Sequence, residues 1–219
     1  MIVPDFTKSF DFENDFYLSC APSRLAKSLA QYELYKKTQH LPGQIVECGV
    51  FKGASLARFA MLRALLDHNS AKQIIGFDAF GKFPETHFDG DIALREKFIK
   101  EAGETGISPT QLIDVLRHKN VHDNVELVQG DILETVPSYI ERHPELRISL
   151  LNLDVDIYEP AVTVLEHLYP RIVTGGILIL DDYAVFPGET EAVDEYFASR
   201  NMLVQKFPFS KTPCFIVKE

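Results

Sequence analysis

The sequence predicts a doubly wound α/β fold, a mostly parallel sheet with helices on both faces. Three observations carry this. Short apolar, β-rich runs alternate with helix-length segments along most of the chain. Two of those runs, ISLLNL and ILIL, lead into acidic clusters, Asp154 with Asp156 and Asp181 with Asp182, spaced 27 positions apart. One helix-length segment separates the two runs, so they read as adjacent parallel strands whose carboxyl ends lie side by side.

The elements follow in order. Residues 1–20 are acidic and aromatic, with Phe6, Phe10, Phe12, Phe16 and Tyr17, and match neither a helical nor a strand period. They read as an arm that packs on the body, or as a lid or dimer arm. Pro22 opens a helical pattern through Leu25, Leu29, Tyr32 and Leu34 to about Thr38, and Leu41-Pro42-Gly43 stops it. Gln44 to Cys48 reads as a buried strand, Ala54 to Asp67 as a helix, and Gln73 to Phe77 as the second strand. Val125 to Gln129, Ile148 to Leu153 and Ile177 to Leu180 are the next three. Helices fit around 131–142, 159–172 and 189–199. Stretches 202–207 and 213–218 read as a closing pair of strands, antiparallel because their connection is short. Residues 81–124 are longer than a simple crossover and hold helical patterns at 91–101 and from Pro109 to about Leu116. An insertion of this length beside the sheet's carboxyl edge reads as a lid. The whole, 1–219, is read as one domain, with 1–40 as N-terminal arm and helix.

Composition narrows the function. The 219 residues are 46% hydrophobic and 25% charged, as in soluble globular domains. Net charge is −10, from 22 basic and 32 acidic residues, with no basic stripe. That argues against nucleic acid as a partner. Cys20, Cys48 and Cys214 are odd in number and widely spaced, which indicates neither a disulfide framework nor a zinc site. The N-terminus lacks a signal-peptide pattern, and no apolar run nears the ~20 residues that span a bilayer. A cytoplasmic setting is expected.

Four motifs carry chemistry. The first is Glu47-Cys-Gly49-Val-Phe-Lys-Gly53-Ala-Ser55, a strand-to-helix turn. Its glycines allow close backbone approach to a ligand, and the helix start favours negative groups. It is not the G-x-G-x-x-G fingerprint, and an acid so near the turn suits an amine or sulfonium ligand better than a pyrophosphate. A plain turn is equally compatible. The second is Asp78, at the end of the second strand, placed to accept hydrogen bonds from ribose hydroxyls or simply to shape a turn. The third is Gly130-Asp131-Ile-Leu-Glu134, whose D-x-x-E spacing suits a helix cap and leaves Asp131 free to face an adenine edge. The fourth is the acidic cluster itself. Several carboxylates at one sheet edge repel one another unless a cation or solvent intervenes, and oxygen-only donors suit Mg²⁺. Among the histidines no pair has metal-ligand spacing; His87, in the inserted stretch, is the candidate substrate contact.

Together these pieces resemble the macrocin O-methyltransferase family of class I S-adenosylmethionine-dependent methyltransferases. The matching text is VECGVFKGASLARFA, GFDAFGKFPET, LLNLDVDIYEP, LYPRIVTGGILILDDY and FPGETEAVDEYF, in family order, from about residue 45 to 197. The resemblance implies a seven-stranded Rossmann-like sheet with an antiparallel last strand. It implies S-adenosylmethionine as cofactor, with Glu47 and Gly49 in its loop beside Gly53 and Ser55, Asp78 on the ribose and Asp131 near the adenine. It implies Mg²⁺ on Asp154, Asp181 and Asp182, with Asp154 as general base, and leaves Asp156 without a clear ligand role. The acceptor implied is a sugar hydroxyl, especially of a nucleotide-activated deoxyhexose. One departure stands out: family members often carry a basic residue after the Pro-Gly of the last motif, where this chain has Glu189-Thr190-Glu191. The aromatic arm is compatible with a homodimer. Two other readings are weighed. Asp154-Val-Asp156 could be the D-x-D of a metal-dependent sugar-nucleotide glycosyltransferase, and the domain could be kept only for assembly.

Overall fold

The computed structural model describes residues 1–68, 71–200 and 202–219. Its centre is a six-stranded sheet in the order β3-β2-β1-β4-β5-β6. The strands are β1 (Gln44–Cys48), β2 (Ile74–Asp78), β3 (Val125–Gln129), β4 (Ile148–Leu153), β5 (Ile172–Leu180) and β6 (Cys214–Val217). All pairs are parallel except β5 with β6. The helices are α1 (Ser9–Ser19), α2 (Pro22–Thr38), α3 (Ala54–Leu66), α4 (Asp89–Ala102), α5 (Pro109–His118), α6 (Ile132–Arg142), α7 (Tyr158–His167) and α8 (Pro187–Phe197).

The pleat sorts the core into two layers. On one face Val46, Cys48, Ile75, Phe77, Leu151, Leu153, Leu178 and Leu180 pack with α6, α7 and α8. On the other, Ile45, Ile74, Leu150, Ile177 and Ile179 pack with α2, α3 and α5. Alternate residues of one strand face opposite layers, so a sheet covered on both sides needs near-continuous apolar runs. All of β4 is buried, as that requires.

Two expectations are corrected. The sheet has six strands rather than seven, because the stretch 202–207 contributes only a bridge between Gln205 and Phe215. Each of those residues donates its N–H to the other's carbonyl at 2.8 Å. The next such pair along the ladder is Phe207 with Pro213, and Pro213 has no N–H to give. The second correction concerns the arm. It is helical, a 3-10 turn over Phe6–Lys8 running into α1. A single apolar face is absent because its aromatics divide between sides: Phe12 and Phe16 are four apart, Phe10 and Tyr17 seven. No α1 residue is buried, and Phe10 and Leu18 are 74% and 87% exposed. The preceding turn is fixed to the body where Phe6 stacks on His118, with ring centroids 4.0 Å apart.

The strand order reverses between β1 and β4. In open α/β sheets ligands bind in the crevice outside the carboxyl ends of the strands at such a reversal. Among the described residues no helix is long and apolar enough to cross a membrane.

Candidate functional site

The crevice begins at Gly49, the first residue after β1. Its φ is +89°, and a Cβ there would lie 1.7 Å from the carbonyl oxygen of Asp154. Only glycine lets the β1 loop pass so close to the end of β4, where the N–H of Asp154 donates to the carbonyl of Cys48 at 2.9 Å. Asp78 then fixes the loop. Its Oδ2 accepts from the N–H groups of Val50 (2.8 Å) and Phe51 (2.9 Å), and its Oδ1 from Phe80 (2.5 Å). Asp131 caps α6 by accepting from the N–H of Leu133 at 2.9 Å.

A cavity of about 440 Å³ opens over these strand ends. Gly49, Asp78, Asp131, Asp154, Asp156 and His87 are among its lining residues. Phe51 of the glycine motif lines it too, whereas Glu47, Gly53 and Ser55 do not. Glu47 is fully buried and accepts a short hydrogen bond from the Ser55 hydroxyl. Gly53, at φ +81°, packs against α5, where an added Cβ would sit 2.8 Å from Leu112 Cδ1.

The acids converge at the edge of the cavity. Asp154, Asp156 and Asp182 each present an oxygen within 4.8 Å of the other two. Asp156 joins them because the chain turns after β4: its φ is +64°, a left-handed conformation that aspartate tolerates better than most residues. Asp181 is engaged differently. Its Oδ2 takes a short salt bridge from Lys27 of α2, while its Oδ1 is buried without a partner. Glu189 is fully buried too; its Oε1 accepts the N–H of Asp182 at 3.0 Å, and its Oε2 is unpartnered.

The electrostatics follow from burial and crowding. Burial, then the neighbouring Asp181 charge, holds the Asp154 carboxyl well above the usual range against the pull of Lys27. Burial and Asp182 do the same to Asp156, and burial and Asp182 to Glu189. Asp182 is pushed up to about 6 by burial and Asp181. Glu47 is pushed up to about 8 by burial, with the Ser55 hydrogen bond pulling the other way. For Lys27, burial lowers the value, but Asp154, Asp181 and Asp182 outweigh it and the ammonium is held more firmly than usual.

Six buried or half-buried carboxyl groups thus share one sheet edge with two cations, Lys27 and Arg58. That imbalance, the oxygen-only donor set and the three unpartnered carboxylate oxygens, on Glu47, Asp181 and Glu189, fit a divalent cation. The cavity, with its close backbone approach at Gly49 and carboxylates at Asp78 and Asp131, fits an adenosyl cofactor.

Lys27 is the main residue that sequence reasoning missed. It lies 154 positions from Asp181 in a helix read only for its apolar face, and no local pattern marks it. Glu189 was visible as a departure from the family pattern, but not as a buried neighbour of Asp182.

The sequence model of the Macrocin-O-methyltransferase (TylF) family matches residues 23–208. The chain belongs to this family. Two curated relatives are similar over part of their length. An 8-demethyl-8-(2,3-dimethoxy-alpha-L-rhamnosyl)-tetracenomycin-C 4'-O-methyltransferase of Streptomyces olivaceus is 32% identical over 148 residues, 66% of this chain and 54% of that protein. A mycinamicin III 3''-O-methyltransferase of Micromonospora griseorubida is 31% identical over 161 residues, 71% of this chain and 61% of that protein. The chain therefore spans little more than half the length of these relatives. Among solved structures, the calicheamicin methyltransferase CalS11 superposes with a TM-score of 0.75 at 26% identity, over 99% of this chain and 86% of that one. The O-methyltransferase NovP gives 0.72 at 23% identity, over 90% and 79%. The fold is the α/β methyltransferase fold, with a mostly parallel sheet and one antiparallel edge strand. Membership of the macrocin family sets aside the glycosyltransferase reading of Asp154-Val-Asp156.

Proposed function

We propose that this protein is an S-adenosylmethionine-dependent O-methyltransferase that acts on a sugar hydroxyl with Mg²⁺ at its acidic edge. The observation that carries the reading is the convergence of three carboxylate oxygens within 4.8 Å beside the cavity at the strand reversal. Gly49, Asp78 and Asp131 line the cofactor cavity, and Glu47, Gly53 and Ser55 hold its glycine loop from behind. In this reading Asp154 and Asp182 hold the cation, supported by the resemblance, which implies both, and by the closeness of their oxygens. Asp156 stands with them, and Asp181, which the resemblance also implies, shares its carboxylate with Lys27.

A hydroxyl is a weak nucleophile at neutral pH, and a bound divalent cation would supply the polarisation that eases its ionisation. In this reading Asp154 takes the hydroxyl proton on a carboxylate oxygen. S-Adenosylmethionine held beside Gly49, Asp78 and Asp131 would supply the methyl group, its carbon–sulfur bond breaking as the acceptor oxygen bonds to the methyl carbon and S-adenosylhomocysteine being left. The acceptor class rests on relatives: CalS11 is described as a TDP-rhamnose 3'-O-methyltransferase, and a nucleotide-activated deoxyhexose is the first acceptor to try here.

The test is a methyl-transfer assay with nucleotide deoxyhexoses and simple glycosides. Turnover is expected with Mg²⁺, lost in chelator and restored by added Mg²⁺. Asp154→Asn should keep S-adenosylhomocysteine binding and lower kcat by about 10²–10⁴, the range general bases supply. Full turnover in chelator removes the metal from the account.

A further inference from the structure

The stretch from Lys82 to His87 lines the cavity and leads into α4. Asp91, in the first turn of α4, is fully buried. Its Oδ2 accepts the N–H of Tyr158 at 3.0 Å, and its Oδ1 accepts the N–H of Gly188 at 2.8 Å. Those donors begin α7 and α8, so one carboxylate joins two helix N-termini, whose unpaired N–H groups favour a negative charge. The fit is tight: a Cβ on Gly188 would lie 1.9 Å from Asp91 Oδ2. Further contacts follow the same line. Phe88 stacks on Tyr158 with centroids 4.9 Å apart. Glu159 accepts from the Thr86 hydroxyl at 2.9 Å and from the N–H of His87 at 2.7 Å. Both helix starts also adjoin the acidic edge. Tyr158 is two residues beyond Asp156, and Gly188 precedes Glu189, whose carboxylate holds the N–H of Asp182.

We infer that Asp91 is a positioning residue that sets the cavity wall Lys82–His87 against Asp156 and Asp182 by tying α4 to the starts of α7 and α8. An ordinary helix-capping acid satisfies one helix; Asp91 satisfies two that belong to other elements. The cavity-lining stretch Lys82–His87 is therefore held as a fixed wall, clamped through the start of α4 at the end nearest the acids.

Two substitutions strain the same clamp from opposite sides. Asp91→Asn keeps the size but offers one carbonyl oxygen where two acceptors are needed. Gly188→Ala leaves the carboxylate intact and drives it away. In each variant the amide hydrogens of residues 82–101 should exchange about tenfold faster, the scale set by loss of one charge-assisted hydrogen bond. S-Adenosylhomocysteine, followed by equilibrium dialysis, should bind about tenfold more weakly by the same reasoning, while exchange in β1, β4 and β5 stays as in the wild type. Unchanged exchange in 82–101 in both variants overturns the inference. So does faster exchange throughout β4 and β5, which would make Asp91 a general stabiliser. If Asp91→Asn does not fold, Gly188→Ala carries the test. The binding arm rests on the proposed function, whereas the exchange arm does not: a wild-type protein that binds no S-adenosylhomocysteine would fail that reading and leave the clamp to be judged by exchange.

Discussion

Glu47 concentrates the site's electrostatics in one residue. Its native value of about 8, against an ordinary 4.5, comes first from burial. Asp182, at about 6 against 3.8, is raised by burial and by Asp181. A carboxyl raised on folding holds its proton more tightly in the native state. The stability it confers is full below the ordinary value and lost as pH rises through the native one. Cation-free protein is therefore expected to lose stability as pH rises from 3.8, with Glu47 contributing up to about 8 alongside the raised carboxyls of Asp154, Asp156 and Glu189. Glu47→Gln, which keeps an acceptor for Ser55, should remove the Glu47 share and make the loss shallower, and Mg²⁺ should offset the part due to the edge acids. Thermal unfolding against pH in chelator checks this; parallel curves for wild type and Glu47→Gln would refute it. The acids themselves were legible in the sequence, because paired carboxylates ending two apolar runs have few other uses. Their partition was not. Asp156 meets Asp154 and Asp182 through a left-handed turn, and Lys27 reaches Asp181 from a helix far away in sequence, so no local pattern announces either contact.

At the scale of elements, β1 to β5 were legible because a doubly covered sheet demands long apolar runs, and the turn after β1 because its glycines are required. Gly49→Ala is expected to break that turn: the φ of +89° costs about 1–2 kcal/mol for an alanine, and its Cβ must push the Asp154 carbonyl away. Loss of S-adenosylhomocysteine binding with a lowered Tm is the expected outcome, and wild-type binding would contradict it. Leu150→Ala, in the core under α2 and α3, should cost about 2–5 kcal/mol by urea unfolding. Element ends were less legible. The stretch 202–207 has strand-like residues, but Pro213 removes the donor that would extend its ladder. The arm has helix-compatible residues without a single apolar face, so its helix could not be read from period. Because no α1 residue is buried and the turn before it is held by the exposed-edge stack of Phe6 on His118, removal of residues 1–19 should change the stability of the isolated chain by only about 1 kcal/mol, the scale of surface contacts.

Over the whole molecule, the architecture places one reversal point, one cavity and one acidic edge together. The chain's charge of −10 would repel anionic ligands generally, while the crevice itself pairs carboxylates with space for a cationic cofactor and a divalent ion. The family is established by the match over residues 23–208, and the activity is the proposal that this geometry supports. Its central claim is that the cavity beside Gly49, Asp78 and Asp131 holds S-adenosylmethionine. Equilibrium dialysis of the purified chain with radiolabelled S-adenosylmethionine tests that directly. One molecule bound per chain, displaced by S-adenosylhomocysteine and lost in Gly49→Ala, is the result expected; no saturable binding by a folded wild-type protein would contradict it.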